Sequence, residues 1–295
     1  THCLTKTSWK AWSDSRSYWV KRNSSRALWD NEPMELNSSL TNLEDPKGSI
    51  LIAHGFGEHH RRYASLKRAL NVAGYDVWFF DFTGHGGSSG KRATVDVGAL
   101  IGEHLVARKS LEDVARTENT FLFGHSMGGL ITLASTLLSP GHIDAVAVTG
   151  PALRPLPNVP VAVAKLAAPV ARLLPWLKSV ELDDSLLSQD PEVAEAYRAD
   201  PMVYQGKVPL LTGTTMVLQG DQVIQNAPLL ARPVFIMHGE EDGLADPSGS
   251  IEFTESAGDD VVLELVPGGY HELLNEPDHK LYESGIIRWF DKWLK

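Results

Sequence analysis

From residue 49 onward the sequence alternates short β-branched or aromatic runs with longer helical stretches. That alternation points to a mostly parallel sheet covered by helices, an α/β fold. Strands are read at Ser49–Ala53, Asp76–Phe80, Thr120–Phe123, Ala145–Val148, Pro233–Met237 and Val261–Val266, each bounded by Gly, Pro, Asp or Asn. Helices are expected near residues 62–73, 97–116, 127–138, 248–257 and 278–294. For the last, Pro277 can occupy the first turn without losing a hydrogen bond, and Asn275 or Glu276 can serve its free N–H groups.

The rhythm fails between Pro151 and about Leu230, a stretch too long for a plain loop. An inserted helical cap is expected there. Its first part, Val161–Leu177, is almost wholly Ala, Val, Leu, Pro and Trp, with Lys165 and Arg172 on one helical face. Two readings stand: a helix packed on the core with one wet edge, or a lid whose apolar face meets lipid or membrane. Pro169 and Pro175 kink or end it, which argues against a transmembrane span. The expected organisation is an N-terminal extension with one or two edge strands (1–45), a core in two parts (46–150 and 231–295), and the cap (151–230) between them.

With 295 residues, 43% of them hydrophobic, the chain can bury a full core. A formal charge of −10 argues against a nucleic-acid partner, because phosphate binding needs a basic surface. Cys3 is the sole cysteine, which excludes an internal disulfide and a thiolate zinc site. Thr1-His2-Cys3-Leu4 lacks the apolar region of a signal peptide, although a start other than methionine is consistent with a segment removed ahead of it. A cytoplasmic or peripheral-membrane location is expected. Oligomeric state leaves no mark in the sequence.

The chemistry centres on Gly124-His125-Ser126-Met127-Gly128, which follows the strand Thr120–Phe123 and leads into the helical run Leu130–Ala134. Strand, Gly-x-Ser-x-Gly, helix is the order that a nucleophile elbow requires. The serine must sit on a strained turn, and flanking glycines keep Cβ atoms out of its way. The helix behind it aims free N–H groups at the reaction centre. Gly86-Gly87-Ser88-Ser89-Gly90 matches the same pattern but lacks the strand before and the helix after, so Ser88 is read as a loop residue.

A serine nucleophile needs a histidine base and an acid that orients it, in the order Ser, Asp or Glu, His for this topology. Asp242 follows the strand Pro233–Met237, and His271 follows Val261–Val266. Both loops leave carboxyl ends of strands, where open α/β sheets place their sites. Glu241 and Asp246 are read as surface carboxylates, and His238 and His279 as structural. The loop His54-Gly55-Phe56-Gly57-Glu58 after the first strand supplies the second oxyanion donor, so the N–H of Phe56 joins that of Met127. His271-Glu272-Leu273-Leu274-Asn275 narrowly misses the zinc motif His-Glu-x-x-His, since Asn275 stands in its fifth place. His54, His59, His60 and His85 come to one end of the sheet without carboxylate spacing for a metal. Neither metal nor cofactor is expected.

Several segments together resemble the monoacylglycerol lipase group of α/β-hydrolases: His54–His59 with Arg62-Tyr63, Asp81–Gly90, Gly124–Gly129 and Gly269-Tyr270-His271. The likeness runs over residues 49–295 and enters the cap at Leu182–Ser188, Glu192-Val193, Tyr197 and Asp200-Pro201, most like bacterial members. It implies a triad of Ser126, Asp242 and His271, an oxyanion hole of Phe56 and Met127, and structural or glycerol-side roles for Glu58 and Arg62. It implies hydrolysis of monoacylglycerols, or a similar lipid ester, to fatty acid and glycerol through an acyl-enzyme. Group members also include lysophospholipases and broad carboxylesterases, and an acyltransferase or a slow-turnover ligand receptor are more distant alternatives. Ala245 stands where mammalian members carry a thiol, and the first 45 residues depart from the family's opening strands.

Overall fold

In a computed structural model of the protein, the structure describes residues 37–295; Cys3 and most of the expected N-terminal extension lie outside them. Seven strands form one sheet in the order β1-β3-β2-β4-β5-β6-β7. They are β1 (Ser38–Leu40), β2 (Gly48–Ala53), β3 (Tyr75–Phe80), β4 (Thr120–His125), β5 (Ala145–Thr149), β6 (Val234–Gly239) and β7 (Val261–Val266). Among the described residues only β1 runs antiparallel in the sheet, pairing Ser38 with Phe80 and Leu40 with Trp78. It is the edge strand anticipated before residue 45.

Helices cover both faces. One layer holds α2 (Val97–Val114), α3 (Met127–Leu138), α6 (Leu210–Asn226) and α7 (Ser248–Ala257); the other holds α1 (Ala64–Val72) and α8 (His279–Asp291). The strands read as continuous apolar runs because alternate residues serve separate cores. Leu51, Leu122, Val146, Val148 and Ile236 pack beneath the first layer. Ile50, Ile52, Phe121, Phe123, Ala147 and Phe235 pack beneath the second.

The parallel register pairs Ala53 with Gly124, His125 with Thr149, Thr149 with Met237, and Gly239 with Val266. Loops after β2, β4, β5, β6 and β7 therefore open on one edge of the sheet. Strand order reverses beside β2, where β3 lies on one side and β4 on the other, and such a switch point leaves a crevice above the carboxyl ends.

Between β5 and β6 the chain leaves the sheet and forms α4 (Val161–Leu173), α5 (Pro191–Ala199) and α6. The apolar stretch read as Val161–Leu177 is helical only to Leu173, because Pro175 disfavours helical geometry at Leu174, which has φ −126° and ψ 59°. Pro169 stays inside α4 on its exposed side, where the carbonyl that it deprives of a partner can meet water. α5 starts on Pro191, with the Asp190 carboxylate accepting from Glu192 N at 3.0 Å.

The expectation for the last helix needs correction. α8 begins at His279, after Pro277, and no side chain caps it. Glu276 instead accepts from Ser188 Oγ and Gln189 N at 3.1 Å and from Tyr270 N at 2.9 Å. A buried carboxylate that ties two loops together satisfies more donors than a helix cap would.

Candidate active site

β4 ends at His125 and α3 begins at Met127, so Ser126 alone makes the turn. Its φ of 52° and ψ of −119° lie where non-glycine residues are strained. Surrounding bonds hold it there: Ser126 N donates to Thr149 O, and Ser126 O accepts from Leu130 N and Ala152 N, each at 3.0 Å. A Cβ on Gly128 would lie 2.3 Å from Ala53 O and 2.4 Å from His54 O, so α3 can approach β2 only without a side chain there. Ser88 lies elsewhere, donating to Asp81 O at 2.6 Å and accepting from Asn37 N at 3.1 Å.

The structure brings Ser126, His271 and Asp242 together. His271 Nε2 is 2.9 Å from Ser126 Oγ, and His271 Nδ1 is 2.7 Å from Asp242 Oδ2. A carboxylate only accepts, so Nδ1 carries the proton and Nε2 is free to take one from the hydroxyl. Asp242 Oδ1 accepts from Leu244 N and Ala245 N, both at 2.9 Å. Burial alone would raise the Asp242 carboxyl, but His271 beside it and the bonds from His238 and His271 hold it well below the usual range. Burial likewise opposes protonation of His271, yet the Asp242 carboxylate outweighs it and lifts the imidazole above its ordinary value. Asp246 caps Ser248 N at 2.9 Å and takes Asn158 Nδ2 at 2.7 Å, away from the histidine.

The loop after β2 faces Ser126. A Cβ on Gly55 would come 3.3 Å from Ser126 Cβ. Among the described residues, the N–H groups of Phe56 and Met127 donate to no protein acceptor. Glu58 Oε1 takes Gly55 N and Tyr63 OH, each at 2.5 Å, while its Oε2 takes Arg62 Nε at 2.9 Å. Arg62 Nη2 reaches Glu272 Oε2 at 2.6 Å, and its guanidinium lies 4.8 Å from the Tyr197 ring centre. Burial pushes Glu272 above the ordinary carboxyl value; at Glu58 burial acts the same way, but Arg62, His125 and His54 bring it below.

The four histidines weighed for a metal have protein partners. His59 Nε2 meets Asp200 Oδ2 at 2.8 Å, His60 Nδ1 meets Asp81 Oδ1 at 2.7 Å, and His85 Nδ1 donates to Thr83 O at 3.1 Å. His54 bonds Gly55 O and Phe82 N.

A cavity of about 440 Å³ opens over these groups. Its apolar lining includes Leu156, Val163, Ala164, Met216, Val217 and Leu244. Glu58, Glu272, Tyr197 and Arg198 also line it. Leu187 also lines it, and its carbonyl accepts from Glu272 N at 2.7 Å. Such a lining suits a largely apolar molecule that carries polar groups near its reactive bond.

Two residues near the relay have more contacts with it than the sequence reading gave them, and the first, His238, is buried as its structural reading requires. His238 Nε2 lies 3.1 Å from Asp242 Oδ2 and 2.9 Å from Ala245 O, and its Nδ1 lies 2.7 Å from Ser250 Oγ. Since Ala245 O only accepts, Nε2 holds the proton and also faces the acid. Glu272 was weighed only within a failed zinc motif. Its place directly after His271 was the available signal.

Comparison with known proteins agrees with the fold. Residues 44–278 match the family described as serine aminopeptidase, S33. The monoacylglycerol lipase of Mycolicibacterium smegmatis is 34% identical over 83% of this chain and 88% of its own. The human monoglyceride lipase is 31% identical, over 78% and 77%. The crystal structure of the Paleococcus ferrophilus monoacylglycerol lipase superposes with a TM-score of 0.77 at 31% identity, covering 87% of this chain and 98% of that one. With this match across most of its length, the chain belongs to the serine aminopeptidase S33 family of α/β-hydrolases, in the monoacylglycerol lipase group.

Proposed function

We propose that the protein hydrolyses monoacylglycerols to fatty acid and glycerol through an acyl-enzyme on Ser126. The observation that carries this reading is the hydrogen-bonded relay Ser126–His271–Asp242, whose serine and histidine line a cavity with both apolar and polar side chains in its wall. Ser126 Oγ attacks the ester carbonyl while His271 Nε2 takes its proton, and the N–H groups of Phe56 and Met127 receive the oxyanion. The imidazolium, stabilised by Asp242, gives the proton to the departing glycerol oxygen. Water then enters by the same route in reverse and releases the fatty acid. The acyl chain lies against the apolar side chains of the cavity, each buried methylene contributing about 0.8 kcal/mol, and glycerol lies against Glu58, Arg62 and Glu272. The names of the relatives support the substrate. A panel of mono-, di- and trioleoylglycerol with an oleoyl lysophospholipid tests it. Monoolein is expected to be the fastest; activity confined to the lysophospholipid would overturn the claim.

The 151–230 segment serves as a cap that meets the lipid surface. Leu166 and Leu173 on α4 are 81% and 77% exposed, with Val163, Val170 and Trp176 exposed nearby. Lys165 and Arg172 flank this stripe, as expected of a helix lying in an interface. No helix among the described residues is long and apolar enough to cross a membrane. Burying a leucine is worth about 1.5–3 kcal/mol, so Leu166→Glu with Leu173→Glu should weaken binding to phosphatidylcholine vesicles at least about tenfold. Hydrolysis of a water-soluble short-chain ester should be little changed. Unaltered flotation with the vesicles would remove α4 from the contact.

A further inference from the structure

His54 is fully buried and takes no part in the proton relay. Its two ring nitrogens nonetheless have unambiguous partners. Phe82 N donates to Nε2 at 3.0 Å, so Nε2 is an acceptor. Nδ1 lies 2.8 Å from Gly55 O, which can only accept, so Nδ1 carries the proton. Burial in this setting lowers the imidazole below its ordinary value, against the pull of Glu58 and Asp81, and so keeps this one neutral tautomer in place.

Gly55 C=O and Phe56 N–H belong to one peptide unit. That unit is trans, since the one cis bond among the described residues is Leu156–Pro157. A planar trans peptide points its N–H away from its carbonyl, so fixing the oxygen fixes the direction of the hydrogen. The loop is also tied on either side of this unit. Gly55 N is held by Glu58 Oε1 at 2.5 Å, and Gly57 O accepts from Tyr204 N at 2.7 Å. Phe56 N–H is left without a protein acceptor on the loop that faces Ser126.

We infer that His54 is a positioning residue of the oxyanion hole: by donating from Nδ1 to Gly55 O, it aims Phe56 N–H at the oxygen of the tetrahedral intermediate. The bond also polarises the peptide it holds and strengthens the N–H as a donor. His54 touches no reacting atom, and its effect passes wholly through that peptide. This inference rests on the proposed acyl-enzyme reaction, with Phe56 N–H as an oxyanion donor.

Two variants separate positioning from mere support, because each removes one bond. In His54→Asn the side-chain amide nitrogen occupies the place of Nδ1 and keeps the donor to Gly55 O, while the bond from Phe82 N is lost. In His54→Gln the amide oxygen reaches the place of Nε2 and keeps the bond from Phe82, while the donor to Gly55 O is lost. Steady-state hydrolysis of monoolein is measured for each, with kcat expressed per site titrated by a fluorophosphonate so that misfolded protein does not count. Loss of an oxyanion donor costs about 10²–10³ in kcat. A donor that is present but badly aimed should cost about 10–100-fold, so His54→Gln is expected to fall by that factor with KM within about twofold, and His54→Asn to stay within about threefold of wild type. Equal losses in the two variants, or a larger loss in His54→Asn, would overturn the inference. Failure of the underlying reaction reads differently, as wild-type protein that turns over no monoolein.

Discussion

Ser126→Ala is expected to lower monoolein hydrolysis by roughly 10⁵–10⁶-fold and to abolish covalent labelling by a fluorophosphonate, because nucleophile and base act as one unit. Among the described residues the Oγ has a single protein partner, His271 Nε2 at 2.9 Å, so no structural bond of the elbow is lost with it. The turn is held by backbone bonds at Ser126 N and O, which alanine keeps. The fold should therefore survive, and circular dichroism and thermal melting should match wild type. Residual turnover above water measures what the oxyanion donors and the cavity do without a nucleophile. Ser88→Ala is the control, since the second Gly-x-Ser-x-Gly lies in a loop and its hydroxyl serves Asp81 O and Asn37 N. It should label normally. Labelling that persists in Ser126→Ala would move the nucleophile elsewhere.

The core and the relay were legible in the sequence because both write short-range signals. A strand buried on both faces must be apolar throughout, and a serine at a strand-to-helix turn must have glycines where backbone approaches within about 3 Å. The helix α6 was not legible. Its sequence, Leu-Leu-Thr-Gly-Thr-Thr-Met-Val-Leu-Gln-Gly, carries β-branched residues and two glycines, which weaken any helical reading. Three of them, Thr212, Thr215 and Gly220, have a tertiary cause. Thr212 Oγ1 accepts from Val95 N at 2.9 Å and Thr215 Oγ1 from Val97 N at 3.0 Å, serving donors at and just before the start of α2. A Cβ on Gly220 would meet Leu153 O at 2.3 Å. Glu276 and Glu272 were hidden for the same reason. A helix-cap reading of Glu276 is locally sound, but its donors at Ser188 and Gln189 come from the inserted segment. Glu272 finds its cation, Arg62, 210 residues away. Polar networks between distant segments leave no periodicity to read.

Asp242→Asn is the variant that tests the relay as electrostatics rather than shape. Asn can keep the acceptor that serves Leu244 N and Ala245 N, which turns its NH₂ toward His271 and His238. His271 Nδ1 must then accept, and its proton moves to Nε2, where it faces Ser126 and blocks base catalysis. A loss of about 10⁴ in kcat is expected from this tautomer alone. His238 Nε2–H loses a carboxylate acceptor inside the core, so the variant should also be less stable by about 1–3 kcal/mol, seen in its thermal midpoint. The pH profile gives the sign. Activity requires neutral His271, so the wild-type rate falls as pH drops through its pKa, which the Asp242 carboxylate raises above the ordinary 6.5. Without that negative charge the imidazolium is no longer stabilised and burial dominates, so the acid limb of Asp242→Asn should shift to lower pH while its plateau falls. An acid limb that stays put as the plateau falls would mean that Asp242 acts on His271 through geometry alone, and the depressed carboxyl at Asp242 would then reflect His238 as its main partner.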